Sequence, residues 1–255
     1  MNKAQGYARF KLFSNFLGNL VNQNDEDALI LIAGDKRKGK SSVAIRLAMA
    51  NDPNWSMERV VFNTREYVHI INQKPPIGSY IVYDDAGLGI SSKRWWEDQA
   101  VIFGMVSQSV GYRRYVTILT VPDMRQIEST SRSLLRYIIT MDRKRKGWFN
   151  IRRGYASMNL THPARFYPYV IIRQVVNGVR YPPVKLKRAY APPLPADVYA
   201  AYEKRKDEAF SERYNQFEED LKPHDKRKWN YNEKSRANLL QGKKKPLEPK
   251  NNMDL

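Results

Sequence analysis

The chain has 255 residues, 42% of them hydrophobic, which supports one sizeable α/β core with a small appendage and excludes global disorder. Lys and Arg number 44 against 26 Asp and Glu, a formal charge of +18, so the surface draws polyanions: nucleic acid first, an anionic membrane second, or neither if the bias only marks a basic soluble protein. No cysteine occurs, which excludes disulfides, Cys-based zinc sites and a thiol nucleophile, and the three histidines, His69, His162 and His224, lack metal-ligand spacing.

Residues 7–22 place Tyr7, Phe10, Phe13, Phe16, Leu17, Leu20 and Val21 every three or four positions, predicting an amphipathic helix whose apolar face packs on a sheet or, less well matched by its weakly basic polar face, lies on a membrane surface. Arg9 and Lys11 interrupt any signal-peptide core, and no apolar run approaches the ~18 residues of a membrane span. The expected location is the cytoplasm, or the inside of a particle. Residues 28–33, Ala-Leu-Ile-Leu-Ile-Ala, read as a strand buried on both faces, as in a parallel sheet. A glycine-rich loop follows, then a helix over 41–51. A strand over 59–62 precedes Asn63, an N-cap with Glu66 three residues on, which opens a helix to about Asn72.

Residues 80–83, Tyr-Ile-Val-Tyr, form the next strand and end at Asp84-Asp85. A helix is expected over 95–111, a strand over 115–121, a helix over 127–136 and a strand over 137–141. Strands and helices thus alternate to about residue 141, predicting a doubly wound α/β fold with a mostly parallel sheet flanked by helices. Beyond it, 148–157 and 165–186 read as antiparallel strands, with Asn177-Gly178 marking a β-hairpin. Pro192-Pro193-Leu194-Pro195 is a stiff linker into a charged helix that carries Tyr202, Phe210, Tyr214, Phe217 and Leu221 at helical spacing. The expected organisation is an N-terminal helix (1–24), an α/β core (25–141), a basic β extension completing the sheet edge (142–191), a linker and helix (192–221), and a lysine-rich tail (222–255).

The chemistry concentrates in Gly34-Asp35-Lys36-Arg37-Lys38-Gly39-Lys40-Ser41, with Ser42 beside it. A triphosphate needs backbone N–H groups aimed at its oxygens, and Gly34 and Gly39 let the chain wrap that closely. Lys40 brings a cation to the β and γ phosphates, and the Ser41 hydroxyl is a Mg²⁺ ligand. Asp84, at the carboxyl end of a buried strand, is placed to hold the same ion, and Asp85 to polarise a water. Residues 84–87 also fit the Asp-x-x-Gly pattern of GTPases, but no Asn-Lys-x-Asp follows, so adenine is the expected base and ATP with Mg²⁺ the expected ligand. Thr120, with Thr117 behind it, is either a sensor of the γ-phosphate or an ordinary strand threonine. Among Arg113, Arg114, Arg125, Arg132 and Arg136, Arg132 is the candidate for a finger acting on a neighbouring copy. Arg143, Lys144, Arg145 and Lys146, followed by Trp148, Phe149, Arg152 and Arg153, interleave cations with aromatics, as a nucleic-acid contact does and as a solvated turn also can.

Ser79-Tyr80-Ile81-Val82-Tyr83-Asp84-Asp85-Ala86-Gly87, Arg94-Trp95-Trp96, Gln108, Arg113-Arg114, Thr120-Val121-Pro122 and Ser131-Arg132-Ser133-Leu134-Leu135 together resemble the zonular-occludens-toxin-like P-loop ATPases of archaeal viruses and mobile elements, within the FtsK–HerA superfamily. The resemblance spans roughly residues 25–141. It implies a RecA-like core, a ring (usually hexameric) and ATP-driven movement of duplex DNA, in genome packaging or DNA transfer, with a capsid or membrane portal protein as partner. It also implies phosphate and Mg²⁺ binding by Lys40 and Ser41, metal binding by Asp84 and water positioning by Asp85. The family's second acid is usually Glu, and Asp85 is one methylene shorter. Two other readings stand beside the DNA motor: an assembly or secretion ATPase working with a membrane partner, and a nucleotide-gated scaffold that scarcely hydrolyses.

Overall fold

A computed structural model of the chain describes residues 1–86, 102–108, 111–127, 129–154, 168–173, 175–176 and 179–221. Gly87, the Arg94-Trp95-Trp96 group, most of the helix expected over 95–111 and the tail from Lys222 lie outside the described residues. Two compact units make up the chain, Met1–Lys206 and Asp207–Leu255.

The first unit is built on a seven-stranded sheet in the order β11-β6-β5-β1-β4-β3-β2. Its parallel part comprises β1 (Ala28–Ala33), β2 (Val60–Val61), β3 (Tyr80–Tyr83), β4 (Val116–Val121) and β5 (Leu135–Met141). Two antiparallel strands, β6 (Trp148–Arg153) and β11 (Ala189–Tyr190), extend it beyond β5. All six residues of β1 are buried, the mark of a central strand covered on both faces. Side chains alternate along such a strand, and the two faces receive different partners. Leu29, Leu31 and Ala33 pack with Tyr67 of α3 (Thr64–Asn72), with Phe103 of a helical stretch over 102–108, and with Tyr83, Leu119 and Leu135. Ile30 and Ile32 face the other way. Tyr137, the register partner of Ile30, meets the ring of Phe13 at 5.7 Å, so helix α1 (Lys3–Gln23) lies over that face. The helix over 7–22 thus packs on the sheet, as its periodicity predicts, and starts earlier, capped by Asn2.

Helix α2 (Lys40–Asn51) follows the glycine-rich loop and is tied to α1 by a hydrogen bond from Asn51 Nδ2 to Ser14 Oγ at 2.9 Å. Asp52, just past α2, accepts from the Tyr80 backbone N–H at 3.1 Å and from Arg59 at 2.5 Å, which pins the start of β3. Asn63 caps α3 through Glu66 N–H at 2.8 Å, as expected. The Glu66 carboxylate, however, reaches Phe62 N–H and Asn63 Nδ2 rather than closing a capping box on the Asn63 backbone.

One expected helix is much shorter. In place of 127–136, a 3-10 turn (Met124–Gln126) and a five-residue helix, α4 (Ser129–Ser133), precede β5. Leu135 pairs with Leu29 of β1 and is fully buried, so strand pairing claims Leu135 and Arg136 ahead of the helical spacing around them. Beyond β6, strands β7 (Val170–Ile172) and β10 (Val184–Leu186) pair antiparallel, as do β8 (Val175–Val176) and β9 (Val179–Arg180). The second pair flanks residues 177–178, the expected hairpin, and those two residues lie outside the described ones. Helix α5 (Ala196–Leu221) begins in the first unit and continues in the second. Among the described residues no helix is long and apolar enough to cross a membrane.

Candidate active site

The site lies at the carboxyl ends of β1, β4 and β3, where an open parallel sheet presents its crevice. At the end of β1 the chain turns through Gly34, whose N–H donates to Val121 O at 3.3 Å. A Cβ at Gly34 would lie 2.7 Å from Met141 Cβ, so only glycine fits between β1 and β5 here. Gly39 has φ 92 and forms the N-cap of α2, a left-handed position that releases the first N–H groups of the helix toward the loop. Arg37 shares the left-handed region at φ 62. Asp35, Lys36 and Arg37 are exposed, while Lys38, Ser41 and Ser42 are half-buried. The Lys40 side chain is buried and donates to Asp35 O at 3.1 Å, which holds its ammonium over the loop. Burial pushes the Lys40 pKa down, against the opposing pull of Asp85 and Asp84.

Strand register brings the acids to this loop. Ile32 of β1 pairs with Thr120 of β4, and Tyr83 of β3 pairs with Leu119, so Asp84 emerges beside Thr120. Asp84 is fully buried. Its Oδ1 accepts from Ser41 Oγ at 2.8 Å and from Thr120 Oγ1 at 2.6 Å. Thr120 Oγ1 in turn accepts from the Asp85 N–H at 2.9 Å, and Asp85 sits at φ 47. The Thr120 hydroxyl thus bridges both acids. Thr117 lies behind it, hydrogen-bonded to Tyr67 at 3.1 Å.

A hydroxyl and a carboxylate held 2.8 Å apart at the foot of a phosphate loop are hard oxygen donors of the kind Mg²⁺ takes, so these residues fit a magnesium–nucleotide ligand. Ser41 would hold the ion directly and Asp84 through a water.

Helix α5 supplies a third side of the site, which sequence reading missed. Tyr202 Oη donates to Asp84 Oδ2 at 2.6 Å. Lys206 Nζ donates to Asp85 Oδ2 at 2.9 Å and to Tyr202 Oη at 3.2 Å, and stands 3.7 Å from Asp84 Oδ2. Burial and the neighbouring Asp84 both push the Tyr202 pKa up, so its hydroxyl stays a donor. For Lys206, burial opposes the charge, but Asp84 and Asp85 outweigh it and the pKa rises. The sequence does hold a signal: a tyrosine and a lysine one helical turn apart on a helix expected to dock. It does not say what that turn meets.

The other candidates fall in two places. Arg143, Lys144, Arg145 and Lys146 form an exposed turn between β5 and β6, held by Asp142 and by a Gly147 N–H donating to Lys38 O at 3.3 Å. That turn therefore stands beside the phosphate loop. Arg152 and Arg153 lie at the far end of β6, opposite Ile138 and Tyr137. Arg152 stacks over the Tyr169 ring at 4.3 Å. Sequence proximity suggests one continuous basic contact; antiparallel pairing of β6 separates it into two. Arg132 is half-buried on α4.

The strand order β5-β1-β4-β3-β2, with β4 set between the strand that enters the phosphate loop and the strand that ends in the acids, defines a RecA-like P-loop nucleotidase fold. No protein-family model and no curated protein matches the sequence. Among solved structures, the chain is similar to the N-terminal domain of zonular occludens toxin from Neisseria meningitidis, at 15% identity over 50% of this chain and 83% of that one, with a TM-score of 0.32. It is similar to a KaiC-like protein from Pyrococcus horikoshii at 12% identity, over 62% and 90% of the two chains, with a TM-score of 0.36. It is also similar to a chain of the HORMA:CdnC:Trip13 complex of Escherichia coli at 13% identity, over 53% of this chain and 62% of that one, with a TM-score of 0.40. This chain thus spans less than two thirds of that last relative.

Proposed function

We propose that this chain is an ATP-binding and ATP-hydrolysing motor of the FtsK–HerA type that translocates or packages DNA. The observation that carries the nucleotide part is the convergence of Lys40, Ser41, Asp84 and Asp85 at the sheet's carboxyl edge, with Thr120 bonded to both acids. Mg²⁺, when bound, draws negative charge away from the β and γ phosphate oxygens. The chain's own residues do the rest. The N–H groups of the Gly34–Ser41 loop orient the phosphates, Lys40 adds a cation to them, and Asp85 accepts a hydrogen bond from the attacking water. The DNA part is supported by the formal charge of +18 and by the exposed cations of 143–146 and Arg153. A ring of six copies would let Arg132 act on a neighbour's nucleotide, and a capsid or membrane portal protein would seat it.

A second reading, the nucleotide-gated scaffold, is favoured by one observation: Asp85, the residue that would position water, is held by Lys206 at 2.9 Å. Steady-state ATP hydrolysis with and without duplex DNA, at low and high salt, separates the two. The motor reading expects DNA to raise the rate and salt to abolish the increase. A rate indifferent to DNA at low salt contradicts it. Multiple turnovers that vanish in Asp85→Asn contradict the scaffold.

A further inference from the structure

The two acids that a magnesium–nucleotide requires already have partners. Asp84 Oδ1 is taken by Ser41 and Thr120, Asp84 Oδ2 by Tyr202, and Asp85 Oδ2 by Lys206. Asp84 is fully buried, so no face of it is left for water. The first turns of α5 are held there by more than this pair. Arg205 Nη2 donates to Glu66 Oε2 of α3 at 3.1 Å, and Arg46 of α2 reaches the Pro193 carbonyl in the segment that leads into the helix.

Lys206 puts an ammonium 3.7 Å from one carboxylate and 2.9 Å from the other, where it offsets part of the negative charge that a divalent cation would otherwise meet. Its charge and that of a metal on Asp84 repel at such a separation, and in a buried setting that repulsion is poorly screened. The hydroxyl of Tyr202 occupies the Asp84 oxygen that Ser41 and Thr120 do not use. Asp85, while it accepts from an ammonium, is a poorer acceptor for the attacking water.

We propose that Tyr202 and Lys206 compete with Mg²⁺ for the carboxylates of Asp84 and Asp85, so that the start of α5 latches the site and magnesium–nucleotide enters by displacing it. The latch rests on the reading of this site as a magnesium–nucleotide site. It places the control of metal access on the chain's own helix. Lys206 is distinct from the phosphate-binding lysine. Lys40 already fills that role from the loop, and Lys206 sits on the acid side.

The test uses the full chain and a fluorescent ATP analogue. Binding is titrated first in EDTA, then with Mg²⁺ at fixed analogue, for the wild type, Tyr202→Phe and Lys206→Met. The latch expects both variants to raise the apparent Mg²⁺ affinity, Lys206→Met on the order of tenfold, since a charge-assisted hydrogen bond no longer has to be broken. Equal or weaker Mg²⁺ affinity in the variants overturns it, because the two side chains would then not compete with the metal. Hydrogen–deuterium exchange on the wild type needs no variant. Amides of residues 196–206 should exchange several-fold faster with Mg²⁺ and ATP than with EDTA, and unchanged or slower exchange under saturating nucleotide overturns the latch while leaving the ATPase reading intact. If neither wild type nor variants bind the analogue with or without Mg²⁺, the nucleotide reading itself fails and the latch falls with it.

Discussion

The two sides of the site differ in how the chain builds them. The phosphate side is eight consecutive residues, Gly34 to Ser41, shaped by glycine at two positions and by the start of one helix. The α5 side reaches Asp84 and Asp85 from Tyr202 and Lys206, 118 and 121 positions away. A contiguous loop keeps its shape whenever its flanking strand and helix form. A wall made by docking the start of a helix can open while the rest of the sheet stays folded, because local opening costs less than global unfolding. The loop is therefore suited to permanent phosphate recognition and the helix start to control.

Substitutions on the phosphate and acid side should lower turnover, opposite in sign to the gain in Mg²⁺ affinity expected for Tyr202→Phe and Lys206→Met. The largest loss is expected for Lys40→Ala, which removes the cation from the phosphates: ATP turnover should fall about 100-fold or more, in a steady-state assay with Mg²⁺. Asp84→Asn should come next, with turnover lowered roughly 100-fold and the Mg²⁺ dependence shifted to higher concentration, as the buried charge that orders the metal's water is gone. Thr120→Val should cost about tenfold in turnover, with little change in KM for ATP. It should also cost about 1–3 kcal/mol in a denaturant melt, because the buried Asp84 loses a donor. A turnover loss in Thr120→Val as deep as that of Lys40→Ala would show that the hydroxyl touches the nucleotide after all. The smallest effect is expected for Arg153→Ala at the far end of β6. ATP turnover without DNA should stay within about twofold, while the salt dependence of DNA binding loses roughly one unit of slope. A large drop in DNA-free turnover there would break the separation between the nucleotide end of the sheet and its basic far end.

Sequence made the phosphate side readable because its chemistry is local. The apolar run of β1, the glycines and the helix after them occupy adjacent positions, and the resulting strand order agrees with the expected mostly parallel α/β sheet. Asp84 and Asp85 were readable for the same reason, as acids at the end of a buried strand. Only the register of β4 beside β3 reveals that the Thr120 hydroxyl lies between the two acids. The helix expected over 127–136 failed where a long-range pairing, Leu135 with Leu29, outweighed local spacing. Arg143–Lys146 and Arg152–Arg153 looked like one patch because strand direction does not show in a list of cations. Tyr202 and Lys206 were the least legible. Their spacing says that they share a helical face, and nothing along the chain says that this face meets Asp84.

The most direct test of the central claim is equilibrium binding and steady-state hydrolysis of ATP with Mg²⁺, in the wild type and in Lys40→Ala. The account predicts saturable, magnesium-dependent binding and turnover in the wild type, both lost in the variant. Binding and turnover that survive Lys40→Ala unchanged would contradict it, since the Gly34–Ser41 loop would then not be where the nucleotide is held.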